Sequence, residues 1–255
     1  MHKYKSLLLL LPILFSASCS KIQVPDNISQ FLFPIKFEET ERTTKEIKVN
    51  NKTIIYGKDN KETGKAEYTI LASRGQQEDY QYTKIENFSG NQCVYDQSSS
   101  LYLAKKESTL TYDATKQCYI LTILSTGFVD EEQKKEETKS TQINYTEVDF
   151  REQIDMKLFY STEVEEYKLG GLYYADFFRR NLNAVKYFSI QEDQFVYSVI
   201  DKPYKQGSQK ALISETIKMN HSGLLDSLYV KVVNQDTGDY SIGEMNALYN
   251  ENIHS

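Results

Sequence analysis

The 255-residue chain has no tryptophan, only three histidines and only three cysteines. So little histidine leaves few candidates for a general base or a metal ligand. His2 lies in the N-terminal leader and His254 is the penultimate residue, so only His221 remains inside the chain. No Cys/His spacing typical of zinc and no glycine-rich phosphate-binding loop is present. We therefore expect a non-enzymatic protein with no catalytic residue, no metal site and no cofactor.

Positive charge is also in deficit, since 30 Lys and Arg face 36 Asp and Glu and the net charge is −6. A basic footprint is what nucleic-acid binding requires, so we expect no nucleic-acid partner. Proline and glycine are sparse, with four and eleven residues. Tyrosine and phenylalanine are abundant, with 20 and 12 residues, and both types favour strands and half-buried surfaces.

The longest apolar run of the sequence lies at its N-terminus. Residues 1–5 form a short basic region, and residues 7–15 are apolar. This run is too short to span a membrane as a helix, which needs about 20 apolar residues, but it fits the core of a secretion signal. We predict that residues 1–18 are a signal peptide and that the protein leaves the cytoplasm.

The signal ends in Ser16-Ala17-Ser18-Cys19, which resembles the bacterial lipobox. In that motif small residues precede a cysteine that receives diacylglycerol. The resemblance implies that Cys19 is the lipid-modified first residue of the mature chain, anchored outside the cytoplasmic membrane. Residues 19–44 would then form a tether and an N-terminal segment. Ser16 departs from the leucine usual at its position, so ordinary cleavage and soluble secretion stay open.

Five Asn-x-Ser/Thr sequons leave a third location as an alternative, that of a eukaryotic secreted glycoprotein. They begin at Asn27, Asn51, Asn87, Asn144 and Asn220.

Cys93 and Cys118 are an even pair, and each lies near a strand-like run. In an oxidising compartment a disulfide between them would join two strands. Two separate buried thiols are the alternative.

The chain from residue 45 to residue 234 is dominated by strand patterns. Residues 65–73 alternate apolar and mixed positions with a period of two, which is typical of a strand with two different faces. Polar clusters separate such runs, and strands this close in sequence favour antiparallel pairing. The charge run at 130–139 is expected to be a solvated loop or hairpin tip within one continuous sheet. The polar residues 235–255 are expected to form a frayed tail.

One segment, at about 171–188, predicts the main helix. Its apolar residues recur at spacings of three and four, as on one face of an amphipathic helix. That face would either pack on the sheet or cover an apolar cavity. The predicted ligand-binding residues are Tyr174, Phe177, Phe178, Leu182 and Val185.

Residues 215–233 predict a hairpin in which a strand, a polar turn with Gly223 and a returning Leu-Asp-Ser-Leu-Tyr-Val strand follow one another. This hairpin resembles the late hairpin of the LolA-like group of lipoprotein carriers and lipid-binding envelope lipoproteins. The resemblance implies an α+β fold, in which a single strongly curved antiparallel sheet, a half-barrel, carries a few helices on its concave face. An apolar cavity between the two layers would suit an acyl chain.

The sequence therefore predicts a lipid-anchored cell-envelope lipoprotein that binds a lipid or another apolar ligand without catalysis. Its expected partners are that ligand and the membrane reached through the N-terminal lipid, and the sequence does not define protein partners. The alternative is a surface interaction or structural protein with a packed core and an exposed tyrosine-rich sheet face.

Overall fold

The computed structural model describes residues 44–74, 80–132, 135–145, 186–191, 194–206, 209–219 and 225–251. Most of these residues belong to one sheet of twelve strands. The strands are β1 (Thr44–Tyr56), β2 (Glu62–Arg74), β3 (Tyr80–Gly90), β4 (Tyr95–Asp96), β5 (Leu101–Asp113), β6 (Cys118–Phe128), β7 (Glu136–Tyr145), β8 (Phe188–Gln191), β9 (Gln194–Gln206), β10 (Gln209–Met219), β11 (Leu225–Asn234) and β12 (Tyr240–Glu251).

Two antiparallel meanders meet in the middle of this sheet. The strand order is β7-β6-β5-β3-β2-β1-β12-β11-β10-β9-β8, and the short β4 pairs with β5 off that path. The junction is the β1–β12 pair, which joins residues about 200 positions apart, such as Ile47 and Tyr249. Each half therefore forms from local hairpins, and one long-range pairing joins the two halves.

The α+β class predicted from the sequence is wrong, because the described residues form a large open sheet and contain no α-helix. The predicted helix at 171–188 is described only at its end. There Lys186 and Tyr187 form a short 3₁₀ turn, and Phe188 begins β8. Phe188 pairs with Tyr197 of β9, and this cross-strand pairing decides the local conformation. Residues 171–185 lie outside the described residues.

The C-terminal region also differs from its prediction. Residues 240–251, assigned above to a frayed polar tail, form β12 between β1 and β11. Polar residues such as Glu244 and Asn246 alternate with Met245 and Ala247. Every second residue of the strand therefore looks polar, whereas the residues between them face inward. The charge run likewise ends inside a strand, since β7 begins at Glu136.

The predicted alternation of residues 65–73 is confirmed and defines the two faces of the sheet. Ile70 and Ala72 are buried, at 3% and 0% exposure, whereas Leu71 between them is 41% exposed. We call the side that carries Ile70 the inner face and the opposite side the outer face. The registers extend the inner face across the sheet, because paired residues lie on the same side.

One buried cluster of inner-face residues centres on β1, β2, β3, β5 and β6. Burial of such side chains contributes roughly 1.5–3 kcal/mol each. Its members are Ile47, Val49, Ile70, Ala72, Tyr82, Leu110, Tyr119, Leu121 and Ala247. Further buried inner-face residues lie on β9, β10 and β11, including Phe195, Ile217, Met219 and Leu225. The hydroxyl of Tyr249 donates to the carbonyl oxygen of Leu225 at 2.8 Å and links the two groups.

Cys93 and Cys118 are both free thiols, so the predicted disulfide is not formed. Cys118 pairs with Asp113 at one end of β5, whereas the Cys93 loop lies at the other end, where Val94 accepts a hydrogen bond from Leu103. Ten residues of strand separate Leu103 from Asp113, or about 33 Å. A disulfide requires Cα atoms within about 7 Å, so these two thiols cannot meet.

Candidate functional site

Three charged side chains lie on the inner face next to the buried cluster. Lys84 and Glu86 are two residues apart on β3, and their Nζ and Oε1 atoms are 2.8 Å apart. Both side chains are largely shielded, at 24% and 19% exposure. Lys106 of β5 is the register partner of Glu86. We call Lys84, Glu86 and Lys106 the inner lysine cluster.

Polar and aromatic groups surround the inner lysine cluster on neighbouring strands. The Nζ atom of Lys84 lies 5.0 Å from the ring centroid of Tyr68, which is itself the register partner of Glu86. Ser108 pairs with Lys84, and the buried Ser125 pairs with Lys106. The arrangement thus offers two ammonium groups with hydroxyl groups nearby and a single carboxylate.

A continuous apolar row runs beside this cluster. The row passes through Ile47 of β1 and Ala72 of β2. On β3 it passes through Tyr82, which is the inner-face position next to Lys84. The row consists of directly paired residues on six adjacent strands, and we call it the apolar band. Its members are Tyr249, Ile47, Ala72, Tyr82, Leu110 and Leu121. The inner face is therefore amphipathic, with charge and apolar surface one residue pair apart.

A second titratable group occupies the other half of the inner face. Glu215 of β10 lies between Val199 and Val230 in the sheet registers. Burial raises the pKa of this carboxyl, and the nearby charge of Lys202 only partly offsets that effect. Burial, together with Glu215 and Tyr187, raises the pKa of Tyr197 to about 12. This half of the face is thus a low-polarity environment that favours a neutral carboxyl.

Aromatic rings pack beside Glu215 at the β8–β9 edge. Tyr187 and Tyr197 are in edge-to-face contact with centroids 6.0 Å apart, and Phe188 lies 5.5 Å from the same Tyr197 ring. The Nζ atom of Lys202 lies 5.4 Å from the Tyr187 centroid. Such cation–π contacts contribute about 0.5–1 kcal/mol at exposed sites and fix the position of the ammonium group.

The described ranges contain no group of three or more His, Cys, Asp or Glu residues that could hold a metal ion. Nor does any helix in the described part of the chain have the length and apolarity needed to cross a membrane. The inner face combines apolar side chains with a few placed polar groups, a combination that is typical of ligand sites.

The predicted site residues lie outside the described residues. These are Cys19 and the five proposed ligand contacts Tyr174, Phe177, Phe178, Leu182 and Val185. Their roles stay predictions.

Sequence reasoning missed the inner lysine cluster, although part of its signal was available. Extending the alternation of β3 places Lys84 and Glu86 on the same side as Tyr82. For Lys106 the two flanking signals disagree, because alternation from Leu110 places Lys106 inward, whereas alternation from Leu103 places Lys105 inward across the register shift between them. A β-bulge of this kind changes which residues face inward, and no simple period reveals it.

No family model and no curated protein matches the chain. A beta-barrel-like protein of domain DUF1849 from Brucella abortus is similar at a TM-score of 0.27 and 9% identity, over 82% of this chain and 99% of that one. A DUF1329 family protein from Desulfovibrio piger is similar at a TM-score of 0.22 and 8% identity, over 84% of this chain and 88% of that one. A domain described as an outer membrane lipoprotein-sorting protein, from Vibrio parahaemolyticus, is similar at a TM-score of 0.20 and 7% identity, over 83% of this chain and 87% of that one. At such scores these likenesses carry no functional argument, which has to come from the side chains.

Proposed function

We propose that this protein is a lipid-anchored, non-enzymatic binding protein of the cell envelope that holds an apolar ligand against the inner face of its sheet. The observation that carries the proposal is the adjacency of the apolar band and the inner lysine cluster. Lys84 and Glu86 are partners of each other, but Lys106 beside them has no carboxylate within 4.0 Å in the described ranges, and a lysine seldom occupies the inward side of a sheet without a partner or a function. A purely structural core needs no charge beside Tyr82 and Leu110, whereas an amphipathic ligand requires both surfaces together.

The predicted ligand contacts in residues 171–185 are part of this proposal. In sequence they lie between β7 and β8, the two outermost strands of the sheet. Aromatic residues such as Phe177 and Phe178 would add apolar surface to the ligand site.

The ligand is tested on the full-length chain with Cys19→Ser, which removes the lipid attachment point and no other side chain. Native mass spectrometry and solvent extraction of the purified protein are expected to find an apolar molecule at about one copy per chain. The stripped protein is expected to take up 1-decanol in calorimetric titrations. An empty protein that also takes up no decanol would refute the binding role.

The anchor is tested separately, by the intact mass of the mature N-terminus of the unmodified chain. A blocked, acylated Cys19 supports a bacterial lipoprotein. Unmodified Cys19 together with glycans would instead assign the protein to a eukaryotic secretory route. Of the sequons, Asn87 and Asn144 are exposed on the outer face, so they are the expected attachment sites in that case.

The alternative of an exposed tyrosine-rich sheet face receives less support. Tyr82, Tyr119 and Tyr197 are all buried on the inner face, and the exposed tyrosines Tyr95, Tyr112 and Tyr229 are divided among β4, β5 and β11. The outer face does expose Leu71 and Leu248, which flank Lys48.

A further inference from the structure

Charge on the inner face is not balanced within the inner lysine cluster. Glu86 is already in contact with Lys84, at 2.8 Å. Within the described part of the chain, Lys106 has no carboxylate within 4.0 Å, although Glu86 is its register partner. The three residues of the cluster carry a net charge of +1, in a chain whose net charge is −6, and the nearby Asp96 of β4 is the acid whose pKa Lys106 helps to lower.

The acid on which Lys106 acts is Asp96 of β4, and the Oδ2 atom of that carboxylate already accepts other hydrogen bonds. Its Oδ2 atom accepts hydrogen bonds from the hydroxyls of Ser98 and Ser99, at 2.7 and 2.6 Å, and from the Ser99 backbone. Burial acts to raise the pKa of Asp96, but the hydrogen bonds from Ser99 and Ser98 outweigh it and lower the pKa, with a further contribution from Lys106. Lys106 therefore acts on Asp96 through space and keeps its own ammonium hydrogens available.

We propose that the inner lysine cluster binds the anionic head of an amphipathic ligand whose apolar chain lies on the apolar band. This rests on the proposed function and names the class of ligand. The head is a carboxylate or phosphate oxygen group, as in a fatty acid or a phospholipid. Charge-assisted hydrogen bonds from ammonium groups to such oxygens are roughly twice as strong as neutral ones.

The spacing of the two lysines fits one such head group. Lys84 pairs with Ser108, which lies two residues beyond Lys106 on β5, so the two lysines are diagonal neighbours. The Cα atoms of diagonal neighbours lie about 7–8 Å apart, within the reach of two lysine side chains that converge on one carboxylate or phosphate. Tyr82 and Leu110, which belong to the apolar band, lie about 7 Å along their strands from Lys84 and Ser108. A head held by the lysines therefore places the first carbons of the chain beside Tyr82 and Leu110, which are 5% and 0% exposed, so the chain has to displace the groups that now cover them.

The other half of the inner face disfavours an anion. Glu215 lies on β10, five strand spacings from β3, or about 24 Å across the sheet. When ionised it repels an anionic head, and Lys202, the lysine that acts on it, already lies over the Tyr187 ring. The charge distribution therefore gives the ligand one orientation, with its head at β3 and β5.

The test uses the full-length Cys19→Ser chain, stripped of lipid, in calorimetric titrations with decanoate, decyl phosphate and 1-decanol. The three probes share one chain length and differ in the head. We expect at least one of the two anions to bind about tenfold more tightly than decanol, as a charged hydrogen bond of 1.5 kcal/mol or more implies. The ratio between decanoate and decyl phosphate tells which head the site prefers.

Lys106→Gln is expected to abolish this preference and to leave decanol binding unchanged. Lys105→Gln is the matched control, because Lys105 is the preceding residue on the same strand, faces outward and contacts Glu107 at 3.1 Å. It is expected to change none of the three affinities. Lys106→Arg keeps the charge and is expected to keep the preference, which covers the case in which the glutamine variant is poorly folded.

The outcomes separate the two levels of the proposal. Equal binding of decanol and both anions by the parent chain overturns the anionic-head assignment and leaves the apolar-ligand role intact. The assignment is also overturned if Lys105→Gln and Lys106→Gln act alike. No binding of any probe overturns the proposed function itself.

Discussion

Substitution of Ala247 by aspartate tests whether the C-terminal residues form a central strand in the described register. Ala247 is 5% exposed, pairs with Val49 of β1 and belongs to the main buried cluster. A carboxyl introduced at such a site has its pKa raised by about 3–5 units, since the charged form loses its water. At 1.36 kcal/mol per unit and an unfolded pKa of about 3.9, the cost at pH 7 reaches about 4 kcal/mol, because a larger shift only makes the folded protein bind a proton. Typical domains have only about 5–15 kcal/mol of stability, so Ala247→Asp removes a large part of it.

The neighbouring residue provides the control. Leu248 is 62% exposed on the outer face, so Leu248→Asp is expected to change the free energy of unfolding by no more than about 0.5 kcal/mol. Urea denaturation followed by far-ultraviolet circular dichroism at pH 7 measures both variants. Because the folded-state pKa of the new Asp in Ala247→Asp is raised, its penalty is fully present above that pKa. The penalty disappears as the pH falls below the unfolded value of about 3.9.

Equal losses in the two variants would refute the placement of these residues as a central strand. A larger loss in Leu248→Asp than in Ala247→Asp would mean that the strand is shifted by one residue, because such a shift exchanges the two faces.

Three further outcomes follow from the structure. Burial raises the folded-state pKa of Glu215, so the stability that the neutral carboxyl contributes is complete below pH 4.5 and is lost as the pH rises through the folded-state pKa. Glu215→Gln should therefore flatten the decline in melting temperature between pH 4 and pH 8. An unchanged pH profile would contradict the buried site. A Cβ at Gly127 would lie 2.2 Å from a facing backbone oxygen, so Gly127→Ala should cost about 1–3 kcal/mol, whereas Gly243→Ala, with its nearest atom at 3.7 Å, should cost nothing in the same urea assay. Thiol titration of the unfolded Cys19→Ser chain, without reductant, should count two free thiols, from Cys93 and Cys118; one blocked pair would refute their separation.

Strands were predictable from the sequence where one face of the strand is buried and the other face is exposed. Residues 65–73 alternate strictly, and the structure places their even-numbered members inward. The hairpin at 215–233 was predictable for the same reason, since Leu228 and Val230 of its returning strand share the inner face with Ile217 and Ile213. In such segments the local period and the tertiary burial agree.

Two features were not predictable because long-range pairing decides them. The C-terminal strand was hidden because its outward half is polar, and its place between β1 and β11 depends on a pairing about 200 residues apart. Asn50-Asn51 looks like a turn, yet both residues lie inside β1, held by β2 and β12 on either side. Backbone pairing on both edges of a strand outweighs the local turn preference of two asparagines.

The separation of the two titratable regions bears on how the inner face would work. Glu215 and Lys106 lie six strand spacings apart, or about 29 Å along the sheet. At that distance and an effective dielectric constant near 20, two unit charges interact by about 0.6 kcal/mol, and solvent ions screen that further. Glu215 and Lys106 therefore act locally, and neither sets the charge state of the other. The preference for an anionic head is then a property of β3 and β5 alone, so Glu215→Gln should leave it intact while changing the pH dependence of stability. If Glu215→Gln did alter the anion preference, the ligand would have to reach across the sheet to β10, and the site would be larger than the inner lysine cluster and the apolar band.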